Sequence, residues 1–168
     1  MKVAFDLDGV LRDLIAPLES KYGFTATQWD WRVEGKDIYE LMKSHYEMLT
    51  TAPTTKYKEV VDRYYAVPEI WTVQPMDWIE HTVKWINFHF PKSIVKVFSS
   101  GEGKEDWLKS YPEYILIEDT PNFKNYERVI LIDQPYNRNV KTPNRVETVD
   151  QFDTMLKSWE EAYNEKWG

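Results

Sequence analysis

The sequence has 168 residues, a length that suits one domain, or a core with a modest insertion, and excludes a large multidomain protein. Its formal net charge is −7 and no block of five or more basic residues occurs, which argues against broad electrostatic binding to a nucleic-acid backbone. There are no cysteines for disulfides or thiolate metal sites, and no window reaches the roughly 18 apolar residues of a membrane span. We therefore expect a soluble, cytoplasmic protein that binds neither a membrane nor extended nucleic acid, with its oligomeric state left open.

The first predicted element is a short buried strand over residues 2–6, KVAFD, in which three apolar residues follow one another. This strand ends at two carboxylates, Asp6 and Asp8, and Gly9 follows directly. Like charges at the end of a buried strand repel each other and lose hydration, so they require a compensating cation or proton. The pattern therefore indicates a functional site.

The patterns between this strand and residue 75 are mostly helical. They comprise a helix interrupted at Pro17, a turn-rich stretch without sustained periodicity, and two further helices, the second with Thr54 as the expected N-cap. These stretches cover residues 12–22, 23–37, 36–49 and 54–67. They predict a small helical insertion.

Strands and helices alternate after residue 75. An amphipathic helix is predicted over 76–90, a short helix over 104–111 and a closing helix over 150–163. Apolar runs predict strands within 93–103, 113–119, 127–133 and 146–149. This alternation predicts an α/β fold with a Rossmann-like three-layer core and a mostly parallel sheet. The core would comprise residues 1–13 and 75–168, with a helical cap inserted at 14–74.

Polar side chains follow three of the predicted strands. The pairs are Asp6 with Asp8, Ser99 with Ser100, and Glu118 with Asp119. In open parallel sheets, ligands bind at the carboxyl ends of the strands, and these ends lie along one edge. We therefore expect the three pairs to face one ligand, a phosphate group or a metal ion.

The same stretches resemble motifs of the haloacid dehalogenase-like phosphohydrolases. FDLDGVL is similar to their first motif, VKVFSSG to the second and ILIEDTP to the acidic fourth. More narrowly, GKEDWL, LIED and LIDQPYNR resemble stretches of the 5'(3')-deoxyribonucleotidase branch and its bacterial and phage relatives. The resemblance extends from Val3 to about Leu156, although the helical segment matches in placement rather than in residues.

The resemblance implies specific roles for the acidic residues. Asp6 would attack phosphorus to form an acyl phosphate, and Asp8 would act as general acid and base. A Mg²⁺ ion would be bound by Asp6, by the backbone carbonyl of Asp8 and by one of Glu118 or Asp119, with the choice between these two acids left open.

Phosphate oxygens would be bound by hydroxyl, backbone N–H and ammonium groups. The resemblance assigns the hydroxyl and N–H contacts to Ser99 and its neighbour Ser100. Two lysines are candidates for the family's third motif, because the chain between GKEDW and LIED is shorter than in the deoxyribonucleotidase branch. Lys104 is favoured over Lys109, since it opens a helix beside the phosphate and a helix start suits anion binding.

The segment between the first and second motifs occupies the position of the family's cap. Its candidate walls for a nucleobase, with core packing as the alternative for each, are Phe24, Trp29, Trp31 and Trp71. We therefore expect a magnesium-dependent phosphatase that acts on nucleoside or deoxynucleoside monophosphates. Two alternatives stay open: a phosphatase of the same mechanism for another phosphate ester, and a nucleotide-binding protein with weak or no turnover.

Overall fold

The computed structural model describes residues 2–167, with side chains as far as residue 162. Six strands form one sheet in the order β3-β2-β1-β4-β5-β6, and every neighbouring pair is parallel. The strands are β1 (Lys2–Phe5), β2 (Glu69–Val73), β3 (Ile94–Phe98), β4 (Tyr114–Glu118), β5 (Val129–Ile132) and β6 (Arg145–Val146). The parallel sheet confirms the predicted α/β fold.

Seven α-helices connect and flank the strands in the described chain. They are α1 (Ile15–Tyr22), α2 (Ile38–Met42), α3 (Tyr46–Thr51), α4 (Lys58–Tyr64), α5 (Ile79–His89), α6 (Gly101–Ser110) and α7 (Val149–Trp167). Two short 3₁₀ turns lie at Met76–Trp78 and Pro135–Asn137. Across residues 2–167, the structure shows no helix long and apolar enough to cross a membrane.

Alternating side chains of the central strands form two separate cores, one on each face of the sheet. Phe5 of β1 packs in a cluster with residues of α4, α5 and α7, whereas its neighbour Ala4 packs on the other face with Leu108 of α6. Both faces are therefore buried, which explains why β1 has a continuous apolar run rather than an alternating one.

A third apolar cluster lies outside these two layers. It joins α1, α2 and α3 through Leu18, Leu41 and Leu49, and it closes against Trp78 and Tyr136 from the rest of the chain. The N-terminal helical segment thus has its own small core, which contacts the sheet domain at two aromatic side chains.

The sheet includes a strand that the sequence analysis placed in the helical insertion. β2 lies between β1 and β3, and its backbone pairs with both. The five residues EIWTV follow two helical patterns directly, and periodicity alone does not separate so short a buried strand from its helical surroundings. The boundary between insertion and core therefore lies before Glu69, not after residue 74.

Two local details of the helical segment also differ from expectation. α4 begins after Tyr57, so Thr54 does not cap it. The pattern over 36–49 is divided into α2 and α3, and α2 starts with a capping box in which the Asp37 carboxylate and the Glu40 side chain each accept from the other residue's N–H.

We expect Trp71→Ala to lower the free energy of unfolding by about 3–5 kcal/mol, because Trp71 of β2 is fully buried beside Tyr114 and its loss would leave a large cavity. Trp29→Ala is the matched control, since Trp29 is 45% exposed and its removal leaves no closed cavity in the core. Urea denaturation of both variants measures the difference. Equal destabilisation by the two variants would contradict the placement of Trp71 in the sheet core.

Candidate active site

A tight loop after β1 presents Asp6 and Asp8 at the carboxyl end of the central strand. The backbone N–H of Asp6 donates to Ile117 of β4, and Leu11 and Arg12 both donate to the carbonyl of Leu7, which closes the loop. Gly9 has a φ of +82°, and a Cβ at this position would overlap Asp119 Oδ2 and lie 2.8 Å from the Tyr136 hydroxyl. Glycine is therefore required for the loop to approach Asp119.

Three carboxylates converge at this end of the sheet. One oxygen from each of Asp6, Glu118 and Asp119 lies within 4.8 Å of the others, and all three residues are buried. The Lys104 ammonium lies between two of them: it donates to Asp6 Oδ1 and, at 2.6 Å, to Glu118 Oε2. The structure thus places Lys104 at the site, whereas the Lys109 side chain is half exposed and pairs with Asp106.

Burial dominates the electrostatics of this cluster. It raises the pKa of Asp6 to about 8, with a further rise from Glu118 and an opposing effect from Lys104. Burial, then the charges of Glu118 and Asp6, raise the pKa of Asp119 well above its usual range. For Lys104, burial works against the charged form, but Asp6 and Glu118 outweigh it and raise the pKa of the ammonium. Three acids and one ammonium leave an excess of negative charge when all are ionised.

The donor set suits Mg²⁺, which prefers hard oxygen ligands and is often bound through one or two carboxylates. The two acids at the end of β4, Glu118 and Asp119, differ in how many hydrogen bonds their carboxylate oxygens already accept. Glu118 Oε1 accepts from the N–H groups of Asp119 and Thr120, and Oε2 accepts from Lys104. Asp119 Oδ2 accepts from the Tyr136 hydroxyl, while no hydrogen bond to Oδ1 occurs among the described residues. Asp119 therefore has the freer oxygen for a cation.

The Asp8 carboxylate pairs with a buried arginine rather than with Lys104. Its Oδ1 accepts from Arg12 Nε at 2.6 Å, and its Oδ2 accepts from Arg12 Nη2 at 3.0 Å and from Gln74 at 2.8 Å. Arg12 is fully buried and also donates to Leu49 in α3 and to Thr82 in α5. These contacts fix the orientation of the Asp8 carboxylate, whose side chain is 28% exposed. Sequence reasoning assigned no role to Arg12, although it lies four residues after Asp8.

The structure does not bring Ser99 and Ser100 to the acidic cluster. Both are exposed at the end of β3, the edge strand two positions from β1, and Ser100 instead caps α6 by accepting from the N–H of Gly103. Thr72, which is buried near the end of β2 beside β1, lines a cavity together with the three acids, and its hydroxyl accepts a hydrogen bond from Gln74 at 2.8 Å. Sequence reasoning missed Thr72 because it missed β2 itself.

Two adjoining cavities open at this end of the sheet. The larger, which we call the acidic cavity, has a volume of about 450 Å³ and is lined by the three clustered acids, Thr72 and Lys104. The smaller, which we call the aromatic cavity, has a volume of about 280 Å³ and is lined by Trp29, Trp31, Tyr39 and Tyr136. Asp8, Asp119, Trp29 and Tyr39 line both, so the cavities meet at these side chains.

The four aromatic residues predicted for the cap have different positions. Trp29 and Trp31 line the aromatic cavity, and Phe24 packs behind Trp31 with ring centroids 4.8 Å apart. Trp71 lies in the sheet core, so its predicted contact with a substrate is wrong. Sequence reasoning gave no role to Tyr39 and Tyr136; Tyr136 is part of the LIDQPYNR stretch that carries the family resemblance.

Comparison with solved structures finds a similar chain, a haloacid dehalogenase-like family hydrolase from Xanthomonas campestris. The TM-score is 0.51 at 12% sequence identity, and the match covers 98% of each chain. The chain has the fold of a haloacid dehalogenase-like hydrolase. No protein-family model matches the sequence, and no curated protein does so. The comparison supports the predicted fold, while the deoxyribonucleotidase branch stays a prediction.

Proposed function

We propose that this protein is a magnesium-dependent phosphomonoesterase that hydrolyses nucleoside or deoxynucleoside monophosphates through an aspartyl-phosphate on Asp6. The observation that carries the proposal is the position of Asp6. Its carboxylate lies at the end of the central strand, in contact with Lys104 and next to Glu118 and Asp119, inside a cavity large enough for a phosphate ester. A carboxylate nucleophile beside a cation and further oxygen donors suits phosphoryl transfer.

In the first step, a carboxylate oxygen of Asp6 attacks phosphorus, the bond from phosphorus to the leaving oxygen breaks, and Asp8 gives that oxygen a proton. In the second step, water attacks the phosphorus of the acyl phosphate and gives a proton to Asp8, which releases phosphate and restores Asp6. Arg12 and Gln74 orient Asp8 for both transfers.

Two groups of this chain and a bound cation would counter the charge of the transferring phosphoryl group. The Lys104 ammonium offsets negative charge, and the Thr72 hydroxyl donates to a phosphate oxygen, the role that the resemblance assigned to Ser99. Asp6 and Asp119, with the backbone carbonyl of Asp8, would hold Mg²⁺, whose charge lowers the repulsion between the Asp6 carboxylate and the phosphate.

The aromatic cavity is the proposed site of the leaving nucleoside. Trp29 and Tyr39 line it at the junction with the acidic cavity, where a planar base can stack for roughly 1–3 kcal/mol. Its charged lining includes Asp30 and Asp37, and the one cation among its described residues, Arg32, is close to Asp37 and to Glu40. This acidic lining favours a neutral nucleoside over a leaving group that carries a second phosphate.

The nucleophile is tested by phosphate release from a panel of ribo- and deoxyribonucleoside 5'- and 3'-monophosphates, with Mg²⁺ or with EDTA. We expect Mg²⁺-dependent release that Asp6→Asn lowers at least about a thousandfold, because the amide cannot form the acyl phosphate. Asp106→Asn, on the exposed side of α6, is the control and retains the activity. Unchanged release by Asp6→Asn would overturn the nucleophile, and binding without release would indicate a nucleotide-binding protein instead.

We expect Lys104→Met to lower kcat/KM by roughly 10²–10³, because it removes the ammonium beside the attacking carboxylate. Lys109→Met, five residues along the same helix, keeps the wild-type value because Lys109 points to Asp106. Steady-state kinetics of the two variants separates the candidates. A larger loss in Lys109→Met would reverse the assignment.

We expect Thr72→Val to lower kcat/KM about 10–100-fold, the effect of losing a hydrogen bond of about 1.5–3 kcal/mol to a charged group. Ser99→Ala tests the position that the sequence motif indicated, and it leaves kcat/KM unchanged since Ser99 is exposed on the edge strand. The opposite ranking of the two variants would show that the motif, not the strand order, identifies the phosphate-binding hydroxyl.

A further inference from the structure

Tyr136 lines the aromatic cavity and contacts Asp119 of the acidic cluster, yet the proposed reaction assigns it no role. It lies in the 3₁₀ turn Pro135–Asn137 that follows β5, and its side chain is buried. The hydroxyl donates to Asp119 Oδ2, and the ring faces Trp29 with centroids 5.5 Å apart. One side chain thus links a carboxylate of the acidic cluster to an aromatic wall of the neighbouring cavity.

The turn that carries Tyr136 is anchored to both loops of the acidic cluster. Asn137 donates to the backbone carbonyls of Asp119, at 2.7 Å, and Ile132, at 2.8 Å. Gln134 donates to the carbonyl of Gly9 at 2.9 Å. Because these bonds tie the turn to the loops after β4 and β1, the position of the Tyr136 hydroxyl relative to Asp119 is set by the backbone.

The contact between Tyr136 and Asp119 leaves little freedom for the carboxylate. Oδ2 of Asp119 is held by the hydroxyl, and the Cα of Gly9 closes the space beside both groups, so that even a methyl group there would overlap Asp119. With Oδ2 fixed, Oδ1 is the oxygen left to meet a cation. A carboxylate that is already oriented loses less conformational entropy when it binds a metal ion, and such supporting contacts typically change metal affinity 10–100-fold.

We propose that Tyr136 is a positioning residue that orients Asp119 for the metal ion. The hydroxyl provides this function, and the ring serves separately as a wall of the aromatic cavity. This inference rests on the metal site of the proposed function, and it adds a residue outside the carboxylate cluster on which metal affinity depends.

The test is the dissociation constant for Mn²⁺, a probe with the same ligand preference as Mg²⁺, measured by calorimetry without substrate. We expect Tyr136→Phe to weaken Mn²⁺ binding 10–100-fold, because it removes the hydroxyl and keeps the ring. Tyr126→Phe is the matched control: its hydroxyl donates to the carbonyl of Thr120 at 2.9 Å, and its loss should leave Mn²⁺ affinity within about twofold of wild type. Asp119→Asn gives the reference for loss of the ligand itself.

The outcomes for Tyr136 and for the metal site can be told apart. Wild-type affinity in Tyr136→Phe, with binding lost in Asp119→Asn, would overturn the role of Tyr136 and leave the metal site intact. Absence of Mn²⁺ binding by the wild-type protein would overturn both. Thermal unfolding in EDTA reports any effect of the substitutions on the fold.

Trp29→Leu removes the aromatic partner of the Tyr136 ring but keeps the Tyr136 hydroxyl, so we expect it to retain wild-type Mn²⁺ affinity. If Trp29→Leu weakened Mn²⁺ binding as much as Tyr136→Phe, the hydroxyl would not be the cause.

Discussion

The ion pairs of Lys104 with Asp6 and Glu118 are the interaction on which the rest of the site depends. Burying carboxylates at the end of a parallel sheet carries a large desolvation cost, and a buried charge is tolerated only when it is paired and hydrogen-bonded. α6 brings the ammonium into contact with both Asp6 and Glu118. One ammonium cannot balance three ionised acids, and burial together with the neighbouring carboxylates raises the pKa values of Asp6 and Asp119. A further cation at this position would stabilise their ionised forms.

The negative charges of Asp6 and Asp8 are balanced by two different cationic side chains, so the two carboxylates have different surroundings. Asp6 faces Lys104 within the sheet, whereas Asp8 faces Arg12, whose remaining N–H groups reach the carbonyl of Leu49 in the helical segment. In an extended strand, residues two apart point to the same face. Here the strand ends at Phe5 and the chain turns back on itself, so Asp6 and Asp8 can each meet a different cation. Because Arg12 donates to both Asp8 and Leu49, the orientation of the Asp8 carboxylate depends on the position of α3.

The sequence predicted that acids at the ends of two strands would lie close together, and in the structure Asp6, Glu118 and Asp119 do so. Their residue types and positions carry that signal, as does the position of Lys104 at the start of α6. Thr72 and Ser99 show where that reasoning stops. Thr72 lies within the apolar strand β2 and Ser99 follows the apolar strand β3, and only the order of the strands places Thr72 beside β1, the strand that Asp6 follows. Pairing depends on long-range contacts that a local pattern does not contain. The same limit applies to Trp71, which lies in the sheet core, and Trp29, which lines a cavity. The residue type alone does not distinguish these two positions.

The two cavities are lined by different parts of the molecule, which belong to different hydrophobic clusters. The acidic cavity is built on strands whose side chains pack into the two sheet cores, and small changes there are costly because close-packed interiors do not adjust freely. The aromatic cavity is lined by residues of the third cluster, such as Trp31, together with exposed side chains of the turn-rich stretch. Under the proposed function, substitutions in that stretch would alter which leaving group is accepted while the carboxylates stay in place. Tyr136 is the exception, since it belongs to the third cluster and its hydroxyl donates to Asp119, so a change there directly affects a carboxylate of the acidic cavity.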